Sequence, residues 1–104
     1  MEDLIIKKKQ ENDELTVWAE GRIDNITSPQ FSAEVKPFLQ GITKIVFDFE
    51  KLSYISSAGL RVMLDVFKCM TKNVGSELYI RKPSEMVFEA LDITGIADLY
   101  NIEK

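Results

Sequence analysis

Two adjacent serines, Ser56 and Ser57, stand where an apolar loop turns into a long helical pattern, in the segment Leu52-Ser53-Tyr54-Ile55-Ser56-Ser57-Ala58-Gly59-Leu60-Arg61. A helix N-terminus carries unpaired amides and the positive end of the aligned peptide dipoles, so a hydroxyl there is well placed to bear a phosphate. It is equally suited to a plainer task, accepting a hydrogen bond from a first-turn amide as an N-cap. At about 100° per residue, with Ser57 at zero, Arg61, Asp65, Lys68 and Lys72 fall in one narrow stripe. Leu60, Met63, Leu64, Val66, Phe67 and Met70 fill the opposite arc, continued by Val62 and Cys69. Ser57 therefore heads the solvent strip of a largely buried helix, one turn before Arg61, whose guanidinium can pair with a phosphate. Ser56 is the better cap candidate. Such a stripe is more often a solvated face than a phosphate clamp, and Cys69 reads most simply as a core thiol.

Other chemistries lack their residues. The chain has no histidine, which removes the commonest general base and the commonest zinc ligand. The Ser57-Ala58-Gly59 step is not a Gly-x-Ser-x-Gly nucleophile elbow. The expectation is a protein that is not an enzyme, with no catalytic residue, metal or cofactor. A single cysteine allows no internal disulfide and fits a reducing compartment. The net charge of −4 disfavours nucleic acid. The short basic run Lys7-Lys8-Lys9 reads as a strand end protected against edge pairing. No apolar run approaches the roughly 18 residues of a spanning helix, and no signal-peptide pattern opens the chain. A cytoplasmic location without a membrane span is expected.

The elements that must position the serines read as follows. At 104 residues, one domain over 1–104 is expected. Leu4–Lys9 and Glu14–Glu20 read as a hairpin around the turn signal Glu11-Asn12-Asp13. Thr27-Ser28-Pro29-Gln30 reads as a helix start, capped by Thr27 or Ser28, with Phe31, Val35, Phe38 and Leu39 at helical spacing. Pro37 kinks or ends that helix, and Gly41 closes it. The nearly continuous apolar run Lys44–Phe49 predicts a strand buried on both faces. A loop of about seven residues then leads to a helix over Ser57–Lys72. A strand over Glu77–Lys82 and a helix over Glu85–Asp92 follow, and Ile96–Ile102 stays open between helix and strand. Strand, helix, strand over residues 44–82 is a right-handed parallel βαβ unit. The fold class is α/β: a mixed β-sheet, made of an opening hairpin plus parallel βαβ strands, with helices packed against it. Sites in such sheets lie beyond the carboxyl ends of parallel strands, here the segment Glu50–Gly59.

Three stretches together resemble the STAS domain family, shared by sulfate transporters and anti-sigma factor antagonists. Leu52–Arg61 is similar to the family signature of an apolar or aromatic pair, Asp or Ser, Ser, a small residue, then Gly-Leu. Gly21-Arg22-Ile23-Asp24-Asn25-Ile26-Thr27 resembles its Gly-x-(Leu/Ile)-Asp-x-x-Thr segment. Ile45-Val46-Phe47-Asp48-Phe49 resembles its central strand with a terminal aspartate. Order and spacing agree across the whole chain. The resemblance implies a partner-switching bacterial regulator of transcription. A GHKL-type serine kinase, often itself the anti-sigma factor, phosphorylates the antagonist, and a serine phosphatase reverses this.

Residue by residue, the resemblance puts the acceptor at Ser57. The family's frequent Asp before it is Ser56 here, and the following Ser or Thr is Ala58. Asp24 matches the loop aspartate that orients the hydroxyl or meets the kinase; alternatively it is a turn residue. Asp48 is expected to anchor its own loop. The implied contact surface is Tyr54, Ser56, Ala58, Gly59 and Arg61 with Asp24 and Asn25, and Ile55 is either anchor or core. The alternative within this fold is a STAS subunit that docks without phosphorylation in a lipid-transport or signalling complex.

Overall fold

A computed structural model describes residues 3–104. Strands β1 (Leu4–Glu11) and β2 (Glu14–Ile23) form the expected hairpin, each running past its predicted end. Helix α1 (Ser28–Val35) gives way at Pro37 to a 3₁₀ turn over Lys36–Phe38, as a ring without an N–H requires. Strand β3 (Lys44–Asp48) lies parallel to β2, and β4 (Leu52–Ile55) pairs with the far end of β2. Helix α2 (Ser57–Met70) leads to β5 (Glu77–Arg81), parallel to β3. Helix α3 (Glu85–Ile93), a 3₁₀ turn over Ile96–Asp98 and β6 (Asn101–Glu103) complete the chain. The undecided tail is thus turn and strand in succession. The sheet order is β1-β2-β3-β5-β6, with β4 on β2 beyond the reach of β3.

One corrected expectation shapes the site. The stretch between β3 and α2 is not a plain loop, because Leu52–Ile55 is a strand. Four residues with two polar or half-polar members give too short an alternation to read. Pairing to β2 makes the strand, with Gly21 opposite Leu52, Arg22 opposite Tyr54 and Ile23 opposite Ile55. The register slips between Gly21 and Arg22. Gly21 has φ +106°, and a Cβ there would collide with the carbonyl of Asp3, so only glycine fits the bend.

A second correction concerns burial. Lys44–Phe49 is not covered on both faces. Leu15, Val17 and Ala19 of β2, Ile45 and Phe47 of β3, and Leu78 and Ile80 of β5 are buried under the helices. On the opposite face Lys44 and Asp48 are only half-buried, and Val46 alone of β3 is buried, between its register partners Thr16 and Tyr79. That face carries the ion pairs Lys44–Glu14 at 3.6 Å and Arg81–Asp48 at 3.7 Å. Lys7 and Lys9 are exposed on β1, whereas Lys8 turns inward and donates to the Glu34 carbonyl at 2.9 Å.

The core centres on Phe47, with ring centroids of Phe31 at 5.8 Å, Phe49 at 5.7 Å and Tyr100 at 6.1 Å. Burial pushes the Tyr100 hydroxyl far above the usual phenol range, so it stays a donor, to the Met63 carbonyl at 2.7 Å. Helix α2 buries Leu60, Val62, Met63, Val66 and Met70, as its periodicity demands. Cys69 is the exception: it is exposed, not a core thiol.

The first turn of α2 rests directly on the strand ends. A Cβ on Gly59 would lie 2.5 Å from Ile23 Cγ2 and 2.8 Å from Ile55 Cγ1. Both isoleucines are buried, so neither can yield without disturbing the core. Gly59→Ala should therefore destabilise the protein by about 1–3 kcal/mol in urea unfolding, although alanine is the better helix former. A neutral or stabilising result would mean that the turn can lift off the strands.

Candidate functional site

The β2–β4 ladder ends at Ile23 and Ile55, and both chains leave it at the same rim. The Ser56 amide donates to the Ile23 carbonyl at 2.8 Å, which seats the residue before α2 against β2. Ser56 has extended backbone (φ −90°, ψ 174°), and its Oγ accepts from the Gly59 amide at 3.3 Å. Its carbonyl accepts the first intrahelical bond, from the Leu60 amide at 2.8 Å. Ser56 is thus the N-cap, and Ser57 is the first helical residue, exposed. The amides of Ser57 and Ala58 precede the first intrahelical bond and form the electropositive end of the helix. Of the two roles left open for the serines, capping falls to Ser56, and the Ser57 hydroxyl remains available.

The stripe predicted from Ser57 is observed. Arg61, Lys68 and Lys72 are exposed, and Asp65 is half-buried through its 2.9 Å bond to Lys36. Arg61 makes no ion pair among the described residues.

Asp24 organises the neighbouring loop. Its Oδ1 accepts from the amides of Ile26 and Thr27, both at 2.9 Å, and its own amide donates to Thr27 Oγ1 at 2.8 Å. The single Thr27 hydroxyl proton is in turn shared between the Arg22 carbonyl at 2.8 Å and Asp24 Oδ1 at 3.1 Å. This replaces the capping expected at α1: Thr27 is the N-cap residue but makes no side-chain cap bond. Gln30 reaches the Leu4 carbonyl instead of a cap. The backbone amide of Thr27, then that of Ile26, the Thr27 hydroxyl and the Arg22 charge hold the Asp24 carboxyl below its ordinary value against partial desolvation. A carboxyl whose folded pKa is lowered stabilises the fold above the unfolded value of 3.8, and the effect is lost as pH falls through the folded value. At neutral pH the loop is held in full. Asp24 therefore performs the turn role; it makes no hydrogen bond to Ser57 among the described residues. Asp48 likewise anchors its loop, accepting from the Glu50 amide at 3.1 Å.

Arg22, Asp24, Asn25, Ile26, Tyr54 and Ser56 line a shallow depression on one side of the α2 start. The Arg22 guanidinium lies 4.5 Å from the Tyr54 ring centroid, so Tyr54 is half-buried beneath a cation. Ile26 is 83% exposed, an apolar side chain offered to solvent that the sequence did not single out. Ile55 is core, and Gly59 is buried and offers no surface. Gly59 allows the close approach of helix to strands. Ser57 and Arg61 face the other side of the helix start, along a groove walled by Leu60, Leu64, Ile96 and Leu99. The tail half of that groove was not foreseen, because Thr94-Gly95 read only as a helix stop.

A capped helix start with an exposed serine, set on the end of a mixed sheet beside an aspartate-held loop, is the site of a STAS domain. Residues 5–104 match that family, and the chain belongs to it. Among its relatives is an anti-sigma-B factor antagonist of Listeria monocytogenes serovar 1/2a, 31% identical over 98 residues that cover 92% of this chain and 84% of the relative. The fold also superimposes on the anti-sigma factor antagonist SpoIIAA in its unphosphorylated form, with TM-score 0.81 and 18% identity, covering 96% of this chain and 89% of that one. The phosphorylated form of the Bacillus cell fate determinant SpoIIAA gives TM-score 0.74 at 17% identity, over 96% and 92%.

The capping assignment separates the two serines by stability alone. Ser56→Ala should cost about 1 kcal/mol in urea unfolding, whereas Ser57→Ala should change stability by less than about 0.5 kcal/mol. The reverse order would make Ser57 the cap.

Proposed function

We propose that this chain is an anti-sigma factor antagonist, which acts by binding and is switched off by phosphorylation of Ser57. Unmodified, it binds an anti-sigma factor that is also a GHKL-type serine kinase and thereby frees a sigma factor in the cytoplasm. A serine phosphatase restores the binding form. The observation that carries this reading is the division of labour at the start of α2: Ser56 caps the helix, while Ser57 stands exposed at its electropositive end. Support also comes from the antagonist names of its relatives and from the recurrence of this fold in both the unphosphorylated and the phosphorylated forms of SpoIIAA.

The energetics favour a switch of surface rather than of fold. A phosphate adds roughly −1.5 to −2 charges. The exposed helix dipole and Arg61 offset this locally, each by about 0.3–1 kcal/mol, so the domain survives modification. At an interface the same dianion has to be desolvated against the partner, at a cost of several kcal/mol. That corresponds to roughly a hundredfold loss of affinity or more. Tyr54 and Asn25, with Asp24 holding the loop, form the second flank of the contact surface around Ser56 and Ala58.

The test is calorimetric titration of the GHKL-type kinases encoded by the same genome. Ser57→Ala should bind one of them as unmodified protein does and keep binding in the presence of ATP; Ser57→Asp should bind about a hundredfold more weakly. Equal affinity of the two variants would remove Ser57 from the mechanism and leave docking without phosphorylation.

A further inference from the structure

The groove on the Arg61 side of Ser57 has a construction that the switch by itself does not require. Its walls are apolar: Leu60 and Leu64 from α2, Ile96 and Leu99 from the turn before β6. They are tied together beneath by the buried Tyr100 hydroxyl, which donates to the Met63 carbonyl of α2 at 2.7 Å. The end of α3 is fastened as well, by Thr94 Oγ1 on the carbonyls of Ala90 at 2.9 Å and Leu91 at 3.2 Å. A groove held in this way is ready to receive a side chain with little ordering penalty. Ser57 and Arg61 stand at its mouth. Arg61 is exposed and without an ion pair among the described residues, on a chain of net charge −4.

We infer that this groove is the anchor seat for the anti-sigma partner, taking an apolar side chain of the partner between α2 and the 94–99 turn while a neighbouring partner carboxylate pairs with Arg61. The inference rests on the proposed phosphorylation switch and adds its geometry. An apolar pocket with one uncompensated cation on its rim selects an occupant that is apolar with an acidic neighbour. A phosphate on Ser57 would lie one helical turn before Arg61, the spacing at which side chains meet on a helix. It would take the guanidinium for itself and place a dianion where the partner's carboxylate has to sit. One modification thus removes the attraction and adds a repulsion, without moving the backbone. The opposite flank, with Asp24 and Asn25, then contributes complementarity rather than the anchor.

Binding of the kinase identified above is measured for wild type, Arg61→Glu, Leu64→Gln, Ser57→Asp and the control Lys72→Glu, which lies on the same exposed stripe away from the groove. Arg61→Glu and Leu64→Gln should each weaken binding by at least about tenfold, and Lys72→Glu by less than about twofold. In case Leu64→Gln perturbs folding, methyl NMR of wild-type protein supplies a second reading. The methyls of Leu60, Leu64, Ile96 and Leu99 should shift on adding the kinase, more than that of Ile26 on the other flank. If Ser57→Asp abolishes binding while Arg61→Glu matches Lys72→Glu and the groove methyls stay still, the groove inference fails and the switch stands. If Ser57→Asp binds normally, or no kinase binds, the switch fails and the groove inference falls with it.

Discussion

The close approach of α2 to the ends of β2 and β4 is the constraint on which the rest of the site depends. Gly59 lies against Ile23 and Ile55 without room for a methyl group. The Ser56 amide is bonded to the Ile23 carbonyl. These contacts determine where the helix begins, and hence which serine is extended and capping and which is helical and free. A helix starting one residue later would make Ser57 the cap. The same contacts bring the Asp24 loop, which leaves β2 at Ile23, alongside the helix start. The glycine of the family's Gly-Leu step is therefore a packing requirement.

Much of this arrangement was legible in the sequence, for identifiable reasons. The α2 wheel separated Ser57 and Arg61 from Leu60, Met63 and Val66 because the helix is buried along most of its circumference, so the period of 3.6 is strongly written. Ser56 read as the cap because a serine just ahead of an apolar helix has few other tasks. Strand β4 was illegible because it owes its conformation to β2 rather than to its own four residues. The apolar run in β3 overstated its burial: Val46 is covered by strand neighbours, not by a second helical layer. Cys69 broke the wheel because it lies at the edge of the apolar arc, beside the exposed stripe, while Met70 next to it is fully buried. The groove beside Ser57 joins residues 57–64 to 94–99, a meeting that only the tertiary fold reveals.

The electrostatics are economical. On the open sheet face, lysines and arginines are laced to carboxylates across strands, as in Lys44–Glu14 and Arg81–Asp48. Pairs that stay in contact with solvent, as Lys44–Glu14 does, contribute little stability. At the head of α2, by contrast, the first turn holds no acidic residue and Arg61 has no ion pair among the described residues. That local positive potential, on an otherwise acidic chain, favours an anion at this helix start. The aspartate loop beside it is held by its own hydrogen bonds at neutral pH.

The central claim is that one hydroxyl of the pair is engaged in capping and the other is the acceptor. Tandem mass spectrometry of the intact protein, after incubation with its kinase and ATP, tests it most directly by locating the phosphate between two neighbouring residues. A single phosphate on Ser57, with Ser56 unmodified, is the expected result. A phosphate on Ser56, or modification that persists in the Ser57→Ala protein, would contradict the account.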